Sequence, residues 1–257
     1  MKKIVVALAC VAGLMAPVTA SLATTSGSTD KKSMDQAAAI NTQLAVAYLK
    51  QNNLSAARDT IDKALKQNPR TAETQMTAGL VYDQLGDQKK ALGHFNEAAK
   101  LGKDNPDVLN NVAVYQCRKG DRKRGEELFL KAAASPLYKT PAVAYTNAGR
   151  CARADSRPKD AEQYFRKALT YKADQPDVLQ QLAEVTHELG NNMQSRAFLQ
   201  RYFASAPASA SMLLLGYRVE TELGDAAAAG DYSKRLIRDF SSSTEAETLL
   251  REQGTRP

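Results

Sequence analysis

Tryptophan is absent from this chain of 257 residues, and aromatic residues make up only 6% of it. A β-sandwich builds its core from β-branched and aromatic side chains, so this scarcity disfavours that class of fold. Alanine, in contrast, recurs in patterned segments, and alanine is the residue that favours helices most strongly. The composition therefore predicts an all-α protein.

Histidine and cysteine are also scarce, with two and three residues respectively. His94 and His187 lie far apart and have no acidic or cysteine companions at the spacing of metal ligands. The sequence lacks a glycine-rich phosphate-binding loop, a nucleophile elbow and a metalloprotease helix motif. We therefore predict no catalytic, cofactor-binding or metal-binding residues and no enzymatic activity.

Long apolar runs are missing as well, since no segment approaches the roughly 20 apolar residues that a membrane-spanning helix needs. A shorter run at residues 4–16 follows two lysines and precedes the small-residue triplet Val18-Thr19-Ala20. This order is typical of a secretory signal peptide. The sequence predicts that residues 1–20 are removed after Ala20 and that the mature protein is exported from the cytoplasm.

Cys10 leaves an alternative interpretation of the N-terminus open. It follows Ala7-Leu8-Ala9, and small residues before a cysteine are found at lipidation sites. Cleavage before Cys10 would leave only residues 4–9 as the apolar segment, and Ala7 stands where such sites usually have leucine. Contact with a membrane is expected only if Cys10 is lipidated.

A strong excess of one charge is missing too, because the formal net charge is +7 with 35 basic and 28 acidic residues. The two signs are interspersed, as in Asp-Arg-Lys-Arg-Gly-Glu-Glu at residues 121–127. Interspersed charges indicate solvated helix faces. Nucleic acid is therefore not an expected partner.

What the chain does have is an internal repeat. Small residues at the same point of a helical pattern are separated by 34, 34, 36, 34 and 33 positions: Ala45, Gly79, Ala113, Gly149, Ala183 and Gly216. Turn signals follow each of them after about seven residues. A period of 34 residues is typical of the tetratricopeptide repeat, a helix-turn-helix unit. We predict an all-α superhelix (α-solenoid) of about six such units.

The repeat also predicts the domain boundaries. After the signal peptide, the polar residues 21–33 have nothing to bury and are expected to form a flexible leader. A single repeat domain is predicted at residues 34–253. Its units are expected near 38–71, 72–105, 106–141, 142–175, 176–208 and 209–241, followed by a short capping helix.

Two cysteines fall within this domain, Cys117 in the first helix of the third unit and Cys151 in the first helix of the fourth. Successive first helices are neighbours in a stack of such units. In an oxidising compartment the sequence favours a disulfide between them. Two buried free thiols are the alternative.

The inner face of the superhelix is the predicted protein-binding surface. Its candidate residues come from first helices: Met76, Leu80, Asp83, Asn110, Asn111, Val114, Asn147, Arg150, Arg153, Gln180, Glu184 and His187. Asn111 and Asn147 occupy a position where some tetratricopeptide proteins bind a terminal carboxylate. The lysine of that clamp is absent four positions earlier, where Asp107 and Val143 stand, so a carboxylate clamp is disfavoured.

Several segments resemble the type IV pilus biogenesis and stability proteins called PilW or PilF. They are Val-Leu-Asn-Asn at residues 108–111, Tyr-Gln-Cys at 115–117, the run at 126–133, Pro-Leu-Tyr at 136–138, Asn-Ala-Gly at 147–149 and Ser-Met-Leu-Leu-Leu-Gly at 211–216. The resemblance covers about residues 40–240. It implies a periplasmic scaffold, usually anchored to the outer membrane through a lipidated cysteine, which helps the pilus secretin assemble. Residues 13–18, where that cysteine is expected, contain none.

The resemblance and the repeat together predict a scaffold whose partner is a protein, namely the pilus secretin or another pilus assembly component. No cofactor is expected. A general adaptor or chaperone of the cell envelope, unrelated to pili, is the main alternative. An enzyme with an unrecognised site is the less favoured one.

Overall fold

A computed structural model describes residues 26–254 of the chain. In this range the backbone forms thirteen α-helices and no strand. The helices are α1 Ser26–Lys50, α2 Leu54–Gln67, α3 Ala72–Gln84, α4 Gln88–Leu101, α5 Pro106–Arg118, α6 Arg122–Ala133, α7 Pro141–Ala154, α8 Pro158–Tyr171, α9 Pro176–Glu188, α10 Asn192–Ser205, α11 Ala210–Glu222, α12 Ala226–Asp239 and α13 Thr244–Glu252. The all-α prediction is confirmed. The predicted signal peptide and Cys10 lie outside the described residues.

Helices α1 to α12 form six antiparallel pairs, in which an odd-numbered first helix is followed by an even-numbered second helix. The turn between them owes its shape to short sequence signals. Gly86 adopts a φ of +80°, a conformation that glycine adopts without a steric penalty. Asp87 then caps α4, since its Oδ1 accepts a hydrogen bond of 3.1 Å from the backbone N–H of Lys90. Asp121 and Asp225 cap α6 and α12 in the same way.

Small residues allow the two helices of a pair to approach closely. Gly149 on α7 is buried against the ring of Phe165 on α8, and a Cβ built at Gly149 would lie 2.6 Å from that ring. Alanines fill most of the other close-approach positions, and Phe95, Phe129 and Phe165 fill the space between helices. This alternation of small and large side chains accounts for the buried apolar core along the stack.

The pairs stack into a superhelix with first helices on its inner side. Successive first helices contact each other along most of the stack, as α1–α3, α3–α5, α5–α7 and α9–α11 do. Among the described helices, successive second helices stay further apart. A rod whose first helices are the more closely spaced curves toward them, so the first helices form the concave face and the second helices the convex face.

The beginning of α1 differs from the sequence-based expectation. Residues 26–33 were expected to belong to a flexible leader, but α1 already begins at Ser26. This end of the helix contains no proline, and the polar side chains of residues 29–33 are solvated on the helix surface as well as in a coil. Extending an existing helix by one residue adds a hydrogen bond without a new nucleation step. No helix within residues 26–254 is both long and apolar enough to cross a bilayer.

Candidate functional site

The concave face is built from the inward positions of α3, α5, α7 and α9. Each of these helices carries three of the twelve residues that the sequence predicts to face inward. They are Met76, Leu80 and Asp83 on α3, Asn110, Asn111 and Val114 on α5, Asn147, Arg150 and Arg153 on α7, and Gln180, Glu184 and His187 on α9. The structure gives many of them a second role, because they bridge neighbouring first helices.

Asp83 is the bridging residue between the second and third units. Its carboxylate forms ion pairs with Arg118 and, at 3.1 Å, with Lys119, both at the end of α5. The Asp83 side chain is only 7% exposed. A buried carboxylate needs such partners, so Asp83 stabilises the unit junction and is not free to bind a ligand.

A pair of asparagines joins the third and fourth units. The Asn147 side chain donates a hydrogen bond of 3.2 Å to Oδ1 of Asn110, which is buried. Asn111, one position along α5, is exposed. Because the Asn147 amide is already used between helices, the two asparagines at the carboxylate-clamp position do not act as an equivalent pair.

Charged side chains connect α7 to α9. Arg150 lies 3.1 Å from the carboxylate of Asp177, and Arg153 pairs with Glu184 and, at 3.7 Å, with Glu188. These contacts cross the boundary between two clusters of buried apolar side chains, one ending at α7 and the other continuing into α9. Further along, Gln180 donates to Glu184 at 2.9 Å, and Nδ1 of His187 lies 3.0 Å from Oδ1 of Asn192.

An apolar stripe occupies the remaining inward positions of α3, α5 and α7. We define the apolar stripe as Met76, Leu80, Val114 and Val143. Met76 and Leu80 are half-buried, whereas Val114 and Val143 are each 43% exposed. One repeat later, the positions of Val114 and Val143 are taken by Arg150 and Asp177, which form an ion pair. The two valines therefore leave an unpaired apolar surface where the next unit has a charged bridge.

The residues that the sequence predicts to face inward do not include Val143, because that position was considered only as one that lacks the clamp lysine. The signal was nevertheless present. Val143 lies six residues before Gly149, just as Asp177 lies six before Ala183, and both positions face inward.

A disulfide joins Cys117 on α5 to Cys151 on α7, with a Cα–Cα distance of 5.8 Å. The bridge favoured by the sequence is therefore present in the structure, and it links the first helices of the third and fourth units. In the described part of the chain, no three His, Cys, Asp or Glu side chains gather as metal ligands. The concave face thus offers contact surface and hydrogen-bonding groups held on a rigid scaffold.

Comparison with known families and proteins supports this architecture. Residues 42–106 and 152–215 each match a family model described as tetratricopeptide repeat. The type IV pilus assembly protein PilF of Pseudomonas aeruginosa is 26% identical over 225 residues, which cover 86% of this chain and 88% of that protein. An uncharacterized protein of Haemophilus influenzae is 29% identical over 116 residues, covering 45% of this chain and 65% of that protein.

Solved structures of other proteins share this fold. The crystal structure of PilW, a type IV pilus biogenesis factor, superposes with a TM-score of 0.72 at 28% identity, covering 84% of this chain and 99% of that one. The structure of Pseudomonas aeruginosa PilF also gives a TM-score of 0.72, at 24% identity and with 86% and 99% coverage. At 24% identity, the similarity to the PilF structure supports the fold alone.

Proposed function

The chain is a tetratricopeptide-repeat protein of the PilF and PilW group, and from this premise we propose that it is an exported scaffold for type IV pilus biogenesis. It acts by holding another protein, and the pilus secretin is the proposed partner, whose assembly and stability it assists. The support is homology along 86% of the chain combined with a preformed concave face that carries an unpaired apolar stripe. No chemical step is needed for this role.

The apolar stripe is the proposed contact. Burying apolar surface is the main favourable contribution in most protein associations. Polar side chains at neighbouring inward positions, such as Asp83, Asn147 and Arg150, already have partners. Val114 and Val143 are the most exposed members of the stripe. They lie on α5 and α7, which the disulfide fixes relative to each other. A partner side chain that enters this surface meets a rigid site and loses little free energy in ordering it.

Export to the periplasm is part of the proposal. Cleavage after Ala20 gives a protein that is free in the periplasm, whereas lipidation at Cys10 would anchor it to a membrane. The intact mass of the chain purified from the cell envelope distinguishes these forms, and a mass that still includes residues 1–20 would contradict export with cleavage.

Charge introduced into the stripe tests the proposed contact. We expect Val114→Glu combined with Val143→Glu to abolish secretin multimers and surface pili in a strain whose own copy is deleted, because two carboxylates would be desolvated on binding. Leu92→Glu is the matched control, since Leu92 is equally exposed, at 43%, but lies on a second helix. Immunoblots of secretin multimers, with circular dichroism of the purified variants, provide the readout.

Normal secretin multimers with the doubly charged variant would contradict the stripe as the contact. Normal multimers and pili in the deletion strain itself would contradict the pilus role altogether.

A further inference from the structure

The convex side of the molecule contains a cleft that none of the preceding functions uses. It lies between the second helices α4 and α6, has a volume of about 560 Å³, and is called here the α4–α6 cleft. Its floor is apolar and consists of Leu109 and Val112 from α5 and Leu128 from α6. The cleft is thus on the opposite side of α5 from the concave face.

The cleft is open because the side chain at one repeat position is small. In each second helix this position lies three residues after the small residue that packs against the first helix. It is His94 in α4, Tyr164 in α8 and Phe198 in α10, but Leu128 in α6 and Thr60 in α2, a helix that no other second helix precedes. The second helices immediately before and after α6 therefore carry a ring at this position, whereas α6 carries an aliphatic side chain.

The contacts of the neighbouring rings show how they fill their clefts. Tyr164 reaches back from α8 and donates a hydrogen bond of 2.6 Å to Glu126 on α6. His94 stacks on Tyr82 of α3, with ring centroids 5.3 Å apart. Burial, together with the hydrogen bond to Asp62, raises the pKa of Tyr82 to about 12. Gln116 lines the α4–α6 cleft and stands, one unit later, at the repeat position of Tyr82. The cleft therefore lacks this second ring as well.

The rim of the α4–α6 cleft is basic. Four cationic side chains and one carboxylate line it: Lys100, Lys103, Arg124, Lys131 and Glu127. Arg124 lies 3.2 Å from Glu127, and Lys100 pairs with the neighbouring Glu97 at 3.6 Å. Lys103 and Lys131 are exposed and form no ion pair within the described residues. The rim therefore offers two unpaired ammonium groups beside an apolar floor.

We propose that the α4–α6 cleft is a second docking site, which binds an acidic peptide segment carrying an aromatic side chain. The ring would enter the space that His94 and Tyr164 fill in the adjacent units, and the acidic residues would pair with Lys103 and Lys131. Charge complementarity favours this occupant over a neutral segment. The site is independent of the apolar stripe, so a partner there can be held while the concave face is occupied.

A labelled peptide of acidic residues around one phenylalanine, such as Asp-Glu-Asp-Phe-Glu-Asp-Glu, is the probe. Binding is measured by fluorescence anisotropy with the full-length mature chain. Replacing its phenylalanine by alanine is expected to weaken binding about tenfold or more, because the buried ring supplies the apolar contact. A lysine-substituted peptide of opposite charge is expected not to bind. A DNA oligonucleotide of equal charge tests for a general polyanion surface.

Two kinds of variant locate the site. Lys103→Glu combined with Lys131→Glu is expected to weaken binding of the acidic peptide about tenfold. Leu128→Phe places a ring in the cleft and is expected to block the peptide while leaving the helical content unchanged. Lys167→Glu is the matched control, because Lys167 occupies the position of Lys131 one unit later, beside the cleft that Tyr164 fills.

Several results would overturn the proposal. One is that the phenylalanine and alanine peptides bind equally well. Another is that both cleft variants bind the acidic peptide as tightly as the unmodified chain does. The third is that the oligonucleotide binds as well as the peptide. Loss of peptide binding in the cleft variants, with normal pili and secretin multimers in the same strains, would support the cleft and separate it from the proposed function.

Discussion

Close approach of the paired helices depends on single glycines set against aromatic rings. Gly79 lies against Phe95, and Gly149 against Phe165. A Cβ at either position would be within 3.0 Å of a ring carbon, a distance at which the ring or the helix must shift. Gly93, in the exposed face of α4, has no heavy atom within 4 Å of the place of a Cβ. The two kinds of glycine therefore respond oppositely to the same substitution.

We predict that Gly149→Ala lowers the free energy of unfolding by about 1–3 kcal/mol, because the added methyl group overpacks the core. Gly93→Ala is its control, and it is expected to raise the same quantity by about 0.5–1 kcal/mol through higher helix propensity. Urea denaturation followed by circular dichroism measures both. Equal stabilisation by the two substitutions would contradict the close contact of Gly149 with Phe165.

At the scale of single residues, the sequence predicts buried positions better than exposed ones. Gly149 is recognisable because only a small residue fits the repeat at that point. The ion pairs that Arg153 forms with Glu184 and Glu188 are not predictable in the same way. Exposed repeat positions tolerate many side chains, so their pairing depends on the offset and twist between successive units, which the repeat period does not specify.

Between elements, the most stringent restraint is the disulfide from α5 to α7. Units of a solenoid interact only with their neighbours, so the stability of the stack depends on each junction. Cys117 and Cys151 are 34 positions apart in the chain. On the chain-entropy view, closing a loop of this size restricts the unfolded state by about 3–4 kcal/mol. The bond therefore stabilises the two units that carry Val114 and Val143.

We predict that replacing Cys117 and Cys151 together by alanine lowers the melting temperature by roughly 6–12 °C, as expected for about 3 kcal/mol in a chain of this size. Reducing the wild-type protein should lower it by a similar amount. Differential scanning calorimetry with and without reductant measures both effects. The alanine variant is its own control, since reductant should not change its melting temperature; an unchanged wild-type melting temperature on reduction would argue against the bridge.

The predictability of the elements follows from their local chemistry. The pair Gly86-Asp87 predicts a turn followed by the start of a helix. In the structure α3 ends just before this pair and α4 begins just after it. The bridge from Cys117 to Cys151 follows from the adjacency of first helices. The beginning of α1 does not follow, because its polar residues carry neither a capping signal nor an apolar pattern that distinguishes a helix from a coil.

The whole molecule is a curved stack in which the two faces have different chemistry. Buried apolar side chains form three successive clusters along the rod. The concave face changes from the apolar stripe on α3, α5 and α7 to charged bridges between α7 and α9. The convex face is interrupted by the α4–α6 cleft. Both proposed docking surfaces therefore lie in the second to fourth units, and the disulfide fixes the third of these units against the fourth.

At this scale the sequence predicts the architecture but not the surfaces. The recurrence of Ala45, Gly79 and Ala113 at intervals of 34 is sufficient for a solenoid. The cleft arises from the absence of a ring at Leu128. The repeat positions show that the ring is absent, but only the structure shows that a cleft lies beside Leu128.

Photo-crosslinking in living cells tests the central claim, that the concave face holds the secretin. A photoreactive amino acid replaces Val114 in one strain and Leu92, which has the same exposure on the convex side, in another. We expect a secretin adduct from position 114 and little or none from position 92, identified by immunoblot and mass spectrometry. Secretin adducts of equal yield from both positions, or from position 92 alone, would contradict it.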